Sequence, residues 1–503
     1  MRALKRLGAI VWAMILAAAT AGLVAADVYW PPAGAQPGSP AVIEVPPGDR
    51  TVVCPGSLKL PGDGEGAVVY DPLFDPNPTA VESISRGLVA GGDGGQAQAL
   101  GETAAPTRLS GQGRAVSVVN GLVGDAPTSL TAFVGAAGAA PPVAAGATFQ
   151  HLGDGDLRGV AATACAAGGA DAWVVAGSTE TGSSARLLLT NAGLTNVRAD
   201  LSLWDGAGPV EAVGLTGLMV PPRSQRAILL EGYVGGASRL AVRVTASGGD
   251  LAVFLQHSRL QGLVQGGVEL AAPGQGPALE ALVGGLDVTA SDFDSARTSA
   301  LRVLNPGDQV ASVSVELWGP DGPTSLPGLE EAQVNPGVVA DLSLGGLPEG
   351  RYAALIRSDQ PIVAAGLSLR SGGEGEVEEF AWTATAAAAA AGYVALPTAD
   401  LTPLLVTSAA ADTALVLTPI DQAGRLGQAK TIAVAAQTSQ ALDLAAMGAD
   451  GDAAAVQFRW AGPAGALALI VSAEDEAGQM ISAFTPPAVS VATTEVAIHP
   501  SRP

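Results

Sequence analysis

Residues 187–208 read LLLTNAGLTNVRADLSLWDGAG, and residues 301–322 read LRVLNPGDQVASVSVELWGPDG. The two stretches correspond position by position, because Asn191 and Asn305 lie 114 positions apart and the tryptophans that follow them have the same spacing. The correspondence continues downstream, where MVPPRSQRAILL and QVNPGVVADLSL stand at that same spacing. A similarity that recurs at a fixed spacing indicates that one structural unit occurs more than once.

Both stretches carry the pattern of a half-buried β-strand. Apolar and polar residues alternate over 197–204 and again over 311–318, and successive side chains of a strand point to opposite faces. Turn sequences, WDGAGP and WGPDGP, follow both strands. The side chains that we expect to face inward are Val197, Ala199, Leu201, Leu203, Ala311, Val313, Val315 and Leu317.

The repeat predicts an all-β fold. One unit holds about five or six short strands over roughly a hundred residues, which is typical of an immunoglobulin-like antiparallel β-sandwich. A propeller blade has only about 40–50 residues, so the repeat is too long for that fold. We therefore expect a string of tandem immunoglobulin-like antiparallel β-sandwich modules behind an N-terminal membrane-spanning helix.

The chain divides into six predicted segments. These are a signal anchor or signal peptide (1–30), a divergent β module (40–170), sandwich repeat 1 (172–272), sandwich repeat 2 (278–372), a degenerate sandwich repeat 3 (392–490) and a tail (491–503). Linkers are expected near 271–277 and 371–376, and the glycine-rich stretch at 91–106 is expected to be a mobile loop.

The N-terminus predicts export. Basic residues precede an uncharged apolar run over residues 7–26, and about twenty residues of helix span a bilayer core. An uncleaved anchor would leave a single-pass membrane protein with its C-terminal region outside the cytoplasm. Cleavage near Ala26 would instead give a secreted protein.

Export makes the cysteine content informative. The chain has two cysteines, Cys54 and Cys165, and an oxidising compartment favours a disulfide between them. Two separate buried thiols are the alternative. Two cysteines and distant histidines do not supply a tetrahedral set, so a zinc site is not expected.

Charge and composition limit the function. The 503 residues contain 25 Lys plus Arg against 47 Asp plus Glu, a formal net charge of -22 at pH 7. Such a charge repels phosphate backbones, so nucleic acid is not an expected partner. Glycine-rich stretches such as GGDGGQ lack the lysine and the strand-to-helix setting of a phosphate loop, and no cofactor is expected.

Few residues point to catalysis. The three histidines are His151, in a predicted loop, His257, at the end of a predicted strand, and His499, in the tail. None lies in a serine or cysteine motif, although a triad can assemble from distant residues. We therefore predict no catalytic residues.

Several carboxylates stand close together in the sequence. Three pairs with one residue between them are Asp154 and Asp156, Asp292 and Asp294, and Asp450 and Asp452. Solvated turn residues explain them more simply than calcium ligands or a glycosidase pair. The cluster Glu374, Glu376, Glu378 and Glu379 is interpreted as a solvated acidic run in a linker.

The tryptophans at the strand ends are the remaining candidates for a binding site. By alternation, Trp204 and Trp318 point to the outer face of their sheets. They could stack on a sugar ring or pack between domains, and both alternatives stay open at this stage. Trp173, Trp382 and Trp460 are expected in cores or interfaces.

With these residues in view, the chain resembles an uncharacterised family of exported actinobacterial proteins with a domain of unknown function. The resemblance rests on the basic N-terminal segment, Cys54-Pro55, the segment CAAGGADAWVVAGSTETG at 165–182, and the strand ends LLLTN and VLNPG. Members of the family tend to be encoded near cell-wall glycosyltransferases, so the resemblance implies a role in the cell envelope, and it assigns no catalytic residues.

Three functions follow as hypotheses. The first is a non-enzymatic, membrane-anchored envelope protein whose sandwiches present surfaces to other envelope proteins or to cell-wall glycan. The second is a dedicated glycan-binding protein that uses Trp204 and Trp318. The third is a glycan hydrolase with dispersed carboxylates.

Overall fold

The chain is described here from a computed structural model. The structure describes residues 12, 41–45, 48–60, 81–101, 105–109, 116–121, 126–136, 139–370, 377–385, 388–398, 400–449, 452–488 and 494–498. These residues form 36 strands, β1 to β36 in chain order, and a 3₁₀ helix at Leu230–Gly232. The strands pair antiparallel throughout. The prediction of an all-β chain with antiparallel sheets is confirmed.

The chain forms two compact units. One comprises Met1–Pro47 with Ala492–Pro503, and the other comprises Gly48–Val491. In the smaller unit, β1 (Ala41–Val45) pairs antiparallel with β36 (Thr494–Ile498). The predicted tail 491–503 therefore contains a strand.

The predicted membrane segment 7–26 lies, apart from Trp12, outside the described residues. Within the part of the chain that the structure describes, we find no helix with the length and apolar character needed to cross a membrane.

The larger unit contains four sandwiches. In each of them, the sheet that contains the first strand is called the outer sheet and its partner the central sheet. Sandwich I comprises β2 (Arg50–Cys54), β3 (Val81–Ala90), β4 (Gly95–Ala99), β5 (Thr107–Leu109), β6 (Val116–Asn120), β7 (Thr128–Ala132), β8 (Val143–Leu152), β9 (Gly159–Ala164) and β10 (Ala166–Ala167). Its outer sheet has the order β10-β2-β7-β4-β5, and its central sheet has the order β6-β3-β8-β9.

Sandwich II corresponds to predicted repeat 1. It comprises β11 (Asp171–Val174), β12 (Ser183–Asn191), β13 (Val197–Asp205), β14 (Pro209–Val210), β15 (Leu218–Val220), β16 (Ser224–Leu229), β17 (Leu240–Ser247), β18 (Ala252–Gln261) and β19 (Val264–Ala271). The outer sheet is β11-β17-β13-β14, with β15 also on β13, and the central sheet is β16-β12-β18-β19.

Sandwich III corresponds to predicted repeat 2. It comprises β20 (Ala278–Val288), β21 (Ala300–Leu304), β22 (Ala311–Gly319), β23 (Gly322–Thr324), β24 (Ala332–Val334), β25 (Val339–Ser343), β26 (Gly350–Arg370) and β27 (Glu379–Ala384). The long strand β26 joins both sheets: its first part pairs with β20 and β22, and its second part pairs with β21 and β27.

Sandwich IV corresponds to the degenerate repeat. It comprises β28 (Ala391–Ala395), β29 (Thr402–Ala409), β30 (Thr413–Asp421), β31 (Lys430–Val434), β32 (Thr438–Leu442), β33 (Ala453–Trp460), β34 (Ala466–Asp475) and β35 (Gly478–Phe484). Its sheets have the orders β28-β33-β30-β31 and β32-β29-β34-β35.

The four sandwiches share one topology. Numbered within each sandwich, the outer sheet runs 1-6-3-4 and the central sheet runs 5-2-7-8. In sandwich III, β26 supplies both the sixth and the seventh strand. The segment that looked divergent in sequence is therefore built like the other three.

The repeated asparagines have the same structural role. Asn191 ends the second strand of sandwich II, Asn305 directly follows the second strand of sandwich III, and both are fully buried. The Nδ2 group of each donates to two backbone carbonyls: Thr195 O (2.7 Å) and Val220 O (3.0 Å) for Asn191, and Gln309 O (2.7 Å) and Val334 O (3.0 Å) for Asn305. Their Oδ1 atoms accept from Gly193 N (2.9 Å) and Gly307 N (3.1 Å). The side chain satisfies backbone groups that would otherwise be buried without partners, which explains why the same residue stands at both positions.

The predicted disulfide is confirmed. Cys54, at the end of β2, is bonded to Cys165, just after β9, and both are fully buried in the core of sandwich I. The bridge closes a separation of 111 residues.

The sandwiches form a closed ring and not an open string. The eighth strands pack in a cycle, β9 against β19, β19 against β27, β27 against β35, and β35 against β9. Sandwich I therefore contacts sandwich IV; the rings of Phe149 and Phe484 lie 6.1 Å apart, for example. The outer faces of the central sheets carry clusters of apolar side chains, and burying these clusters against neighbouring sandwiches favours closure.

A domain boundary, a loop and a linker differ from what the sequence predicted. Sandwich III extends past predicted residue 372, because β27 pairs with the second part of β26. The stretch 91–106, expected to be a mobile loop, contains β4, which pairs with β7 and β5. Near 271–277, Gly274 N donates to Trp173 O at 2.9 Å, so this linker is held against sandwich II.

Candidate binding cleft between the second and third sandwiches

Buried arginines join three of the four sandwich junctions. Each stands on the second strand of its sandwich and donates through Nη1 to a backbone carbonyl of the preceding sandwich in the ring. The acceptors are Leu396 O for Arg86 (2.7 Å), Leu60 O for Arg186 (2.9 Å) and Gly177 O for Arg302 (2.6 Å). All three side chains are buried, so each bond fixes the position of one sandwich against the next.

The fourth junction, between sandwiches III and IV, is closed by small residues instead. Gly284 and Gly285 of β20 face Ala466 and Ala468 of β34. A Cβ at Gly285, whose φ is +68°, would lie 2.4 Å from the Cβ of Ala468. The two strands therefore approach closely only because glycine occupies this position.

A cleft of about 350 Å³ opens at the junction between sandwiches II and III. Its floor is the outer face of the central sheet of sandwich III, and its walls are the segments 177–180 and 238–239, strand β18, and the loop 295–298. Its charged and aromatic lining residues are Glu180, Arg239, His257, Arg259, Arg297, Arg302, Asp341, Phe380 and Trp382. We call this space the junction cleft.

Arg302 organises the floor of the junction cleft. Its Nε and Nη2 donate to the two carboxylate oxygens of Asp341, at 2.8 and 3.0 Å, and Nη2 also donates to Ser238 O at 3.2 Å. Its guanidinium carbon lies 4.7 Å from the ring centre of Trp382. Since this side chain is almost fully buried, it holds the cleft walls together rather than meeting solvent.

Glu378 links two further arginines at the rim. One of its carboxylate oxygens lies 3.0 Å from Arg259 Nη1, and the other accepts from Arg297 Nε at 2.7 Å. The Glu378 side chain is only 4% exposed, whereas Arg297 is 53% and Arg259 is 29% exposed. A buried carboxylate therefore positions two guanidinium groups that reach solvent.

The His257 ring is buried at the cleft and bonds to Trp382 through one of its two nitrogens. Its Nδ1 accepts from Trp382 Nε1 at 3.2 Å, so the hydrogen of the neutral ring stands on Nε2. This Nε2 is buried and has no hydrogen-bond partner among the residues that the structure describes. Burial, reinforced by the charges of Arg259 and Arg302, lowers the pKa of His257 well below its usual range, so the ring is neutral.

Two buried carboxyl side chains lie among the eighth strands, at the centre of the ring. Glu269 of β19 and Glu379 of β27 are fully buried, and Ser482 Oγ of β35 lies 2.7 and 2.9 Å from the two oxygens of Glu269. Burial raises the pKa of Glu269 to about 8, against the hydrogen bond from Ser482. Burial raises the pKa of Glu379 well above its usual range, and the neighbouring carboxyl of Glu269 raises it further. At neutral pH the pair holds protons and supports the packing of the central strands.

The structure places the two predicted tryptophans differently. Trp318 is fully buried against Ala353 and Leu355, on a face over which β32 of sandwich IV packs. Trp204 is partly exposed, and its ring stacks on Trp173 with centroids 5.5 Å apart. Trp318 therefore packs between domains and offers no ring face to a sugar.

Other sequence-based candidates change their surroundings. His151 lies in β8 and not in a loop, and Glu378 and Glu379 are buried instead of forming a solvated run. Trp173, Trp382 and Trp460 are buried. His499, Glu374, Glu376 and Asp450 lie outside the described residues. Among the residues that are described, no three His, Cys, Asp or Glu side chains come together as a metal site.

Sequence reasoning missed the residues of the junction cleft. Arg259 and Arg297 are 38 positions apart and look like ordinary surface charges in the sequence. One signal was present: His257 and Arg259 stand on the same face of a strand in a chain that has few basic residues.

A family model described as "Family of unknown function (DUF5719)" matches residues 118–445. The chain belongs to this family. The DUF5719 match runs from β6 to just beyond β32, so it contains sandwiches II and III and the whole junction cleft. No curated protein matches the chain. A solved structure titled "Crystal Structure of Thermotoga maritima 1070" is similar over 22% of this chain and 92% of that chain, with 19% identity and a TM-score of 0.18.

Proposed function

We propose that this DUF5719 protein is a non-enzymatic protein of the cell envelope, exported and anchored through residues 7–26, whose ring of sandwiches presents binding surfaces to cell-wall glycan or to other envelope proteins. The observation that carries the proposal is the junction cleft, a concave surface with arginine and hydroxyl side chains at a fixed domain junction. Sites of this kind, at domain interfaces with converging polar groups, are typical of ligand binding.

The disulfide supports export. Cys54 and Cys165 are joined in the core of sandwich I, and such bonds persist in oxidising compartments outside the cytoplasm. The actinobacterial origin and the envelope role belong to the same proposal and rest on the sequence resemblance.

The cleft geometry favours binding over hydrolysis. His257 bonds to Trp382 instead of a serine, and Asp341 has both carboxylate oxygens bonded to Arg302. A hydrolase would still find two carboxylates here, Glu180 and Asp341, so this alternative has its own test. If the protein only binds, the wild type and Glu180→Gln should both lack polysaccharide-cleaving activity. Loss of a polysaccharide-cleaving activity in Glu180→Gln would favour the hydrolase.

The proposed location is tested by cell fractionation of the organism that encodes the chain. We expect the full-length chain in the membrane fraction, open to protease added outside the cell, with both cysteines protected from alkylation until reduced. A cytoplasmic chain with free thiols would contradict the proposal.

The proposed binding is tested by chemical crosslinking in intact envelopes. We expect one reproducible set of crosslinked envelope partners or glycan fragments for the wild type. The double variant Arg239→Gln/Arg297→Gln should lose part of this set, whereas the remote change Arg425→Gln should keep it. A wild-type pattern no more reproducible than that of an unrelated exported protein would contradict the proposal.

A further inference from the structure

We infer that the junction cleft binds a carboxylated sugar unit of an acidic glycan. The inference rests on the proposed function and specifies its ligand.

Three guanidinium groups at the cleft reach solvent. The side chains of Arg239, Arg259 and Arg297 are 40%, 29% and 53% exposed. Glu378 and Asp341 hold them from behind, so little side-chain entropy is lost when they bind. A guanidinium group donates two parallel hydrogen bonds to a carboxylate, which makes a carboxylated ligand a good match.

The charge balance points to a ligand of low charge. Four guanidinium groups line the cleft, and the carboxylates of Glu180, Asp341 and Glu378 lie in or beside it. With neutral His257, the local balance is about one positive charge, while the chain as a whole carries -22. A single carboxylate would neutralise this local balance, whereas a ligand group with several negative charges would exceed it.

The remaining lining residues suit a hydroxyl-rich molecule. The hydroxyl side chains at the cleft are Ser178, Ser238, Ser295, Thr298 and Ser343. Ser178 and Ser295 already donate to Ala237 O and Arg297 O, so toward a ligand they act as acceptors of sugar hydroxyl groups. The volume of about 350 Å³ lies near the lower end of the range of about 300–1,000 Å³ for small-ligand sites.

The test uses the full chain and isothermal titration calorimetry with three probes, sodium D-glucuronate, D-glucose and sodium phosphate. We expect saturable binding of glucuronate, with glucose and phosphate at least about tenfold weaker. Arg297→Gln and Arg239→Gln should each weaken glucuronate binding at least about tenfold. Arg425→Gln should not, because Arg425 is 81% exposed and pairs with Asp421 in sandwich IV.

Since Arg239 and Arg297 are largely exposed, these variants should keep the wild-type circular dichroism spectrum and melting temperature. Absence of glucuronate binding to the wild type, or unchanged binding in the double variant Arg239→Gln/Arg297→Gln, would overturn the inference. Phosphate binding as tight as glucuronate would overturn the sugar assignment. The crosslinking experiment tests the proposed function separately. A protein that keeps its crosslinked envelope partners but does not bind glucuronate would refute the ligand assignment and leave the proposed function standing.

Discussion

Trp204 and Trp318 occupy the same place in two copies of one repeat, yet their surroundings differ. Trp204 lies on sandwich II, stacked on Trp173 and partly exposed. Trp318 lies on sandwich III and is fully buried, because sandwich IV packs over that face of the sheet. The strand sets the direction of the side chain, but the neighbour in the ring decides whether it meets water.

The largest expected effect comes from truncating the two tryptophans. Trp318→Ala should lower the free energy of unfolding by about 3–5 kcal/mol, since it opens a cavity at a junction. Trp204→Ala should cost about 1–2 kcal/mol, the loss of one stacked and partly exposed ring. Guanidinium chloride denaturation of both variants checks the difference; equal losses would show that the two rings have equivalent surroundings.

The two asparagines, unlike the two tryptophans, should contribute equally to stability. Asn191→Ala and Asn305→Ala should each cost about 2–3 kcal/mol, because each removes bonds to two corresponding backbone carbonyls and leaves these groups unpaired. The two losses should agree closely in the same denaturation experiment. A difference as large as that between the tryptophans would mean that the repeat is not equivalent even inside each sandwich.

The repeat explains how much the sequence could predict. Alternation and turns depend on residues a few positions apart, so β13 and β22 and their inward faces could be predicted from the sequence. The asparagine spacing likewise marked a local bonding pattern. Closure of the ring could not be predicted, because it depends on the outer faces of sheets whose partners lie hundreds of residues away.

The candidate site shows the same limit. The junction cleft joins Arg259 of sandwich II to Arg297 and Glu378 of sandwich III, and no spacing in the sequence marks them. Glu378 and Glu379 stand in an acidic run that resembles a solvated linker, but packing between sandwiches buries both.

The comparison of sandwiches II and III also applies to the buried carboxyl groups of Glu269 and Glu379, which lie on the eighth strands of these two sandwiches. The folded-state pKa of Glu269 is about 8, above its unfolded value, so the folded protein keeps a proton that the unfolded chain releases. Stability should therefore fall as pH rises from about 4.5 to about 8, by up to about 1.4 kcal/mol per pH unit for this group, and Glu379 shifts in the same direction.

Glu269→Gln should flatten this part of the stability profile, measured as unfolding free energy at several pH values. The exposed control Glu280→Gln, on sandwich III, should keep the wild-type slope. A profile that Glu269→Gln leaves unchanged would show that the central carboxyl titrates normally.

The smallest effect is expected at the exposed side of sandwich II. Arg243 lies 5.0 Å from the ring centre of Trp173 and bonds to Asp171 at the surface. Arg243→Gln should cost about 0.5–1 kcal/mol, as expected for an exposed cation–π contact and ion pair. A loss as large as that for Trp318→Ala would mean that the Trp173–Trp204 stack is as deeply buried as Trp318.

Closure of the ring is measured most directly between sandwiches I and IV. Asn120 and Gln422 lie 302 positions apart, and their side chains are hydrogen-bonded at 2.9 Å. Spin labels attached to the double variant Asn120→Cys/Gln422→Cys should give a single distance below about 25 Å by pulsed electron paramagnetic resonance, because the two side chains are in contact in the closed ring. Cys54 and Cys165 are bonded to each other and do not react with the label. A distance beyond about 60 Å, the span of two intervening sandwiches in an open string, would contradict the closed ring.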